Sequence, residues 1–205
     1  LKIEIMSLSL SFLFIIIFYL MGSIPFALLI PKIFGHGDIR NIGSGNVGAT
    51  NVLRTGNKFL AFLVLSLDVL KGLFPFIILN LYSENISLLQ TIFLCHFSIL
   101  GHIFPIWLKF KGGKGVATYI GFLFGVNLIL ALFFLVTWLT IALMFKYSSL
   151  SSLIATTIAP IYFIVKGDNY TVIFLIYLLS VIVIKHHENI KRLLNRTENK
   201  IKLSK

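Results

Sequence analysis

Three short polar segments of this chain carry residue types that bind anions or move protons. The first runs from Gly37 to Arg54. Within it Gly43, Gly45 and Gly48 allow sharp turns and expose successive backbone N–H groups, and Ala49 leads toward a helix start. Such nests bind anions. Ser44, Asn46, Thr50 and Asn51 add side-chain donors, and Arg54 adds a planar fork suited to phosphate. The second segment, His102 to Thr118, is a Gly/Lys loop with Lys109, Lys111, Gly112, Gly113, Lys114 and Gly115. It is not a Walker A loop, because Gly115 follows Lys114 where Ser or Thr would be needed, so no nucleotide is indicated. Two such loops suit a substrate with two phosphates, or two phosphorylated substrates.

The third segment is Lys185 to Arg192. Helical spacing would align His186, Asn189 and Ile190 on one face, with Arg192 displaced from it. His186 is a candidate proton-transfer group. The adjacent His187 points elsewhere and no further ligands are evident, so no metal is expected. Asp68 and Lys71 lie three residues apart inside an apolar stretch, where charges are paired or touch substrate. Ser149 and Ser152 begin a late apolar stretch and read first as a helix cap; Ser152 is also a candidate substrate contact.

The elements that must carry these residues are lipid-solvated. Of 205 residues 58% are apolar and 12% charged, and the mean hydropathy is +0.96. Soluble domains average about 45–50% apolar and about 25% charged. The net charge of +11 sits beside apolar spans, which fits anionic lipid head groups rather than nucleic acid. The single cysteine, Cys95, excludes an internal disulfide and reads as a buried hydrophobe.

Apolar stretches run at about 5–30, 57–80, 87–108, 116–145, 149–165 and 169–185. The first is too long for a signal-peptide core and reads as a retained span. The fourth is about 30 residues where one span needs about 20. Gly121, Gly125 and Asn127 near its middle mark a possible turn. Charge decides the count. Seven spans put fifteen of the eighteen Lys/Arg on one side, leaving Lys2 and Lys166 opposite and Lys71 within a span. The positive-inside rule makes the charged side cytoplasmic and the N-terminus external, with Glu84 in an external loop. The expected fold is an all-α polytopic integral membrane protein of seven transmembrane helices, some short, forming a single domain over 1–205 with a cytoplasmic C-terminus.

In order along nearly the whole chain, these pieces resemble the acyl-phosphate-dependent glycerol-3-phosphate acyltransferases of bacteria, the PlsY family. They are Ser23-Ile24-Pro25, the Gly-Ser-Gly-Asn loop to Arg54, Asp68 with Lys71-Gly72 and Pro75, the Phe110–Gly115 loop, and His186 to Glu198. The resemblance implies transfer of an acyl chain from acyl phosphate to the 1-hydroxyl of glycerol 3-phosphate, giving lysophosphatidic acid and phosphate. It implies that the first loop holds the acyl-phosphate phosphate. It puts Ser44, Arg54, Lys114, His186 and Asn189 near the reacting groups. It further implies a cofactor-free monomer in the bacterial inner membrane, with its site on the cytoplasmic side. Two positions depart from the family. Val47 stands where proline is frequent, which would loosen the loop, and Arg196 stands where glycine usually precedes Thr197-Glu198, which puts the turn there in question.

The chemistry fits without the name. An acyl phosphate is already activated, so no covalent nucleophile is required, and no Ser-His-Asp or Cys-His constellation is evident. The need is to place two anions, neutralise charge and remove one hydroxyl proton, to His186 or to a substrate phosphate. None of His36, His96, His102, His186 or His187 has an Asp five residues later, the pattern of acyl-CoA-dependent glycerophosphate acyltransferases. An anion transporter is the competing class; it is disfavoured because no internal repeat occurs and the polar residues gather at one interface rather than at the midplane.

Overall fold

The computed structural model describes residues 6–82 and 86–201, so Lys2, Glu84, Lys202 and Lys205 lie outside the described residues. The fold is helical, and the chain divides into two compact units, Leu1–Val126 and Asn127–Lys205.

The first unit contains α1 (Leu8–Ser23), α2 (Phe26–Ile33), the short α3 (Ala49–Val52), α4 (Lys58–Tyr82), α5 (Leu88–Cys95), α6 (Phe97–Ile103) and α7 (Val116–Val126). Local signals set several of these bounds. The α1–α2 break falls at Ile24-Pro25, where proline disfavours a helical residue before it. The Asn57 side chain accepts from Leu60 N at 3.1 Å and opens α4, and Ser87 does the same for α5 through Gln90 N. α1 packs along α6, and α4 along α7. The α4–α7 contact is backbone-close: a Cβ on Gly72 would overlap the Thr118 carbonyl, and one on Gly121 the Val69 carbonyl. Small residues at such contacts let helices approach where no water drives them together. A buried cluster of Ala27, Ile39, Val47, Val52, Leu60, Ala61 and Val64 fastens the first polar loop to α4.

The second unit contains α8 (Leu128–Phe145), α9 (Ser148–Thr156), α10 (Ile158–Lys166), α11 (Asn169–Lys185) and α12 (His187–Leu194). The stretch 116–145 divides at Asn127, whose side chain accepts from Leu130 N at 3.1 Å and caps α8. Gly121 and Gly125 lie inside α7 rather than at the turn. Asp168 caps α11 through Thr171 N, and hydrogen bonding from the Thr171 side chain, then from its backbone, holds the carboxyl below the usual carboxylate range.

Four helical segments are long and apolar enough to cross a membrane alone: Lys58–Tyr82, Leu88–Leu108, Leu128–Phe145 and Ser148–Lys166. Two bent pairs, α1 with α2 at 41° and α11 with α12 at 63°, raise the number to six among the described residues. Charge parity asks for one more. The remaining apolar helix, α7, has 11 residues, about 16 Å at 1.5 Å per residue, against a hydrocarbon core of about 30 Å.

Candidate active site

The Gly-rich loop of the first unit is organised by one side chain. Asn51 is buried, and its Oδ1 accepts from Ser44 N at 3.2 Å, Ser44 Oγ at 3.4 Å and Arg54 Nη1 at 3.3 Å. Its Nδ2 donates to the Ile39 carbonyl at 2.8 Å. The amide therefore ties a hydroxyl and a guanidinium to the loop floor, and Asn51 spends its own polar atoms doing so. Gly43, at φ +58°, lies against Arg54; a Cβ there would meet Arg54 Cδ at 2.5 Å and Nη1 at 2.7 Å. The loop thus needs glycine for both its turn and its guanidinium.

The row of N–H groups expected for a nest is partly consumed. Ser44 N goes to Asn51, Gly45 N to the Ile42 carbonyl and Gly48 N to the Asn46 carbonyl. The helix it enters, α3, is four residues long, so the aligned peptide dipoles there are few. What the loop offers an anion is chiefly the Arg54 fork, together with the Ser44 hydroxyl once its one hydrogen turns away from Asn51, with Asn46, Gly48, Ala49 and Thr50 along the same stretch. Val47 is buried in the apolar cluster, so side-chain packing anchors the loop where a proline would have stiffened it. At its outer end, exposed Asp38 and Arg40 pair at 2.5 Å, and Arg40 holds the Asp38 carboxyl below its ordinary range.

The second loop leaves α6 in a tight return. Phe110 N donates to the Pro105 carbonyl, Gly112 N to Ile103 and Gly113 N to His102, at 3.0, 3.2 and 3.1 Å. Lys111 is exposed on this return, Lys114 is half-buried and Gly115, at φ +84°, leads into α7. Lys109 and Phe110 are both left-handed, at φ 50° and 63°.

Asp68 and Lys71 form a buried pair at 2.8 Å. Lys71 Nζ also donates to the Ile24 carbonyl at 3.0 Å, where α1 breaks, and lies 5.5 Å from the centre of the Phe26 ring. His102 Nδ1 is 3.6 Å from Asp68 Oδ1. These groups line a cavity of about 10 Å³, about one water molecule in size.

In the second unit the polar groups converge on Glu198. Ser149 Oγ and Asn189 Nδ2 donate to its Oε1 at 2.8 and 2.6 Å, and Arg192 Nε donates to Oε2 at 2.7 Å. Burial pushes the Glu198 carboxyl up, but the hydrogen bonds from Arg192, Asn189 and Ser149 outweigh it and hold the group below its ordinary value. The tail continues back to the α8–α9 turn, where Ile201 N donates to the Lys146 carbonyl at 2.7 Å. His186 sits at the α11–α12 bend, 2% exposed, with Nδ1 and the Ile182 carbonyl 2.8 Å apart. A carbonyl only accepts, so Nδ1 carries the hydrogen and the lone pair of the neutral ring falls on Nε2.

Several expectations are corrected here. Ser149 and Ser152 do not cap α9: Ser149 holds Glu198, and Ser152 Oγ donates to the Ser148 carbonyl and accepts from Trp138 Nε1 at 3.0 Å. Arg192, set apart from the face of His186, nonetheless shares Glu198 with Asn189, because the tail folds back onto α12. The turn at Arg196 keeps the left-handed form a glycine would take, at φ 58°. The organising roles of Asn51, His102 and Glu198 are absent from the residue-by-residue reading. For Glu198 a signal existed, as it is the only acidic residue after Glu188 in a basic tail. Among the described residues no three His, Cys, Asp or Glu side chains converge as metal ligands would.

A family model described as glycerol-3-phosphate acyltransferase matches residues 12–196. The glycerol-3-phosphate acyltransferase of Pelagibacter ubique (strain HTCC1062) is 50% identical over 185 residues, 90% of this chain and 94% of its own. That of Bartonella henselae is 47% identical over 195 residues, 93% and 92% of the two chains. The crystal structure of PlsY, described as an integral membrane glycerol 3-phosphate acyltransferase, matches in its glycerol 3-phosphate form with a TM-score of 0.86. That match is at 41% identity over 94% of this chain and 96% of that one. Its lysophosphatidic acid form matches with a TM-score of 0.83, over 93% and 94% of the two chains. Similar along almost all of its length to these enzymes, in sequence and in helical framework alike, the chain belongs to the glycerol-3-phosphate acyltransferase family.

Proposed function

We propose that this protein moves a fatty acyl chain from acyl phosphate to the 1-hydroxyl of sn-glycerol 3-phosphate, the first step of phospholipid synthesis. The hydroxyl oxygen attacks the acyl carbon, the bond from that carbon to the phosphate oxygen breaks, and lysophosphatidic acid and inorganic phosphate leave. No acyl-enzyme forms, because the mixed anhydride already carries a good leaving group. The observation that carries this reading is the Ser44–Asn51–Arg54 cluster: a hydroxyl and a guanidinium preorganised on one amide suit a phosphoryl group that gains charge as it departs.

In this reading Ser44 and Arg54 take the acyl-phosphate phosphate, with Gly43, Gly45, Asn46, Gly48, Ala49, Thr50 and Asn51 shaping the loop. Lys114 neutralises developing charge, supported by Lys111, Gly112, Gly113 and Gly115. His186 receives the hydroxyl proton on Nε2, which the Ile182 carbonyl leaves as the basic nitrogen, and Asn189 holds the tail against the bend. Asp68, Lys71, Ser152 and Arg192 support substrate binding by shaping the surfaces around it. The chain works as one domain and one monomer, without a cofactor, in the bacterial inner membrane. In this reading seven apolar segments cross the membrane, with the N-terminus outside and the basic loops in the cytoplasm, where glycerol 3-phosphate is available; the one-sided distribution of Lys and Arg supports it.

The test supplies purified protein, in detergent or lipid mesophase, with glycerol 3-phosphate and either palmitoyl phosphate or palmitoyl-CoA. Phosphate and lysophosphatidic acid from the acyl phosphate alone are expected. Product from palmitoyl-CoA alone would replace the donor, and product from neither, in a folded monodisperse sample, would end the reading.

A further inference from the structure

The turn carrying Lys111 and Lys114 does not hold itself. Lys109 and Phe110 are consecutive left-handed non-glycine residues, at φ 50° and 63°, a conformation that persists only where the surroundings enforce it. The surroundings are the end of α6. The carbonyls of His102 and Ile103, in the last turn of that helix and without helical donors, accept Gly113 N and Gly112 N.

The His102 ring is wedged behind this return. On one side its Nδ1 lies 3.6 Å from Asp68 Oδ1. On the other the ring lies against Gly113: a Cβ there would overlap His102 Nε2 and, at the same point, the Val47 carbonyl oxygen of the first loop. Asp68 is fixed by Lys71, and Lys71 by the Ile24 carbonyl at the α1–α2 break. A chain of contacts therefore runs from a buried charge pair, through one imidazole, to the point where the two anion loops touch.

We propose that His102 is a positioning residue for the reaction. It sets the Phe110–Gly115 turn against Val47 and so fixes where Lys114 stands relative to the Ser44–Arg54 loop, without touching substrate. The kinetic part rests on the acyltransfer reading; the placement of the turn does not.

The experiment uses the full chain purified in detergent, as wild type, His102→Leu, His102→Asn and Gly113→Ala. Leucine fills the space but sets no polar nitrogen beside Asp68, which His102 faces at 3.6 Å as an electrostatic contact rather than a hydrogen bond. Asparagine places Nδ2 as many bonds from the backbone as the histidine Nδ1 and restores a polar N–H there. Trypsin cleavage after Lys109, Lys111 and Lys114, followed by mass spectrometry, is expected to quicken about tenfold in His102→Leu and in Gly113→Ala, and to stay near wild type in His102→Asn. With palmitoyl phosphate and glycerol 3-phosphate, His102→Leu should lower kcat/KM about tenfold, in kcat as well as KM, because a shifted lysine meets both the phosphate and the charge it gains poorly. His102→Asn should recover most of this. Wild-type cleavage and kinetics in His102→Leu overturn the proposal. So does an equal loss in the leucine and asparagine variants, which would leave the contact with Asp68 no part in placing the turn. Slowed turnover with unchanged cleavage also overturns it, placing His102 on substrate. Should His102→Leu fail to fold, Gly113→Ala, which pushes on the ring from the loop side, decides by the same cleavage readout. If wild type makes no product while the variants still expose the turn, the positioning role stands and the acyltransfer reading falls.

Discussion

Asp68 and Glu198 are each a carboxylate that gathers separate segments of its own unit, and they do so in opposite settings. Asp68 lies within a membrane-spanning helix, 1% exposed, and joins α4 to α6 through His102 and, by way of Lys71, to the α1–α2 break. Glu198 lies on a tail beyond α12 and collects Ser149, Asn189 and Arg192. In the first, a lost partner strands a charge where water cannot reach it. In the second the carboxylate is itself only 6% exposed, but its Arg192 partner is 31% exposed and three donors share the carboxylate, so water can replace one of them and the cluster serves shape more than survival. The same chemical device is thus essential to folding in one place and adjustable in the other.

The sharpest way to break the comparison is to unpair the buried charge. Lys71→Met should cost about 3–5 kcal/mol by leaving Asp68 alone, whereas Lys71→Met with Asp68→Leu should recover most of it. Thermal midpoints of the purified variants read this directly, and a double variant no better than the single would show that the pair is more than mutual compensation. Next in size is an effect on rate without one on folding. Arg54→Ala should lower turnover about 100-fold with an unchanged midpoint, since one preorganised donor to a developing anion is removed; phosphate release measures it.

Glu198→Gln should be milder, about 1–2 kcal/mol, because three hydrogen bonds lose their charged acceptor but remain geometrically possible. Its pH dependence follows from the lowered carboxyl. The stabilisation is complete above the ordinary value of 4.5 and fades as pH falls below it, through the folded-state value. Wild type should therefore lose more stability than Glu198→Gln below pH 4.5, in midpoints taken across that range. Arg196→Gly, beside the same cluster, should gain up to about 1 kcal/mol by relieving a left-handed non-glycine residue. Smallest of all, Asp38→Asn should change stability by less than about 1 kcal/mol, since the pair it breaks is exposed and salt-screened.

Much of the site was legible because its residues are exceptions to their surroundings. Arg54, Lys114 and His186 border apolar runs, and a polar group beside lipid is kept for a reason. The partners of those residues were not legible. Asn51 reads as one more amide in a polar loop, yet its single oxygen holds both Ser44 and Arg54. Ser149 reads as a cap because it stands near a helix start, yet its hydroxyl is taken by a carboxylate 49 residues away. Arg192 reads as set apart from the face of His186, yet it and Asn189 meet on Glu198, which lies beyond the turn at Arg196 and which helical spacing does not reach.

By itself, then, the sequence determined the solvent, the helical class and the polar segments where chemistry is possible. Those follow from composition, from the lengths of the apolar runs and from where the charges interrupt them. The tertiary structure alone decided that Asp68 faces His102, that Gly113 leaves room for that ring, and that Glu198 returns to Ser149. Each of those pairs is separated by eleven or more residues, and no local preference encodes a partner at that distance. Only the closure of the backbone brings such atoms within reach, and the low-dielectric interior then makes their pairing count.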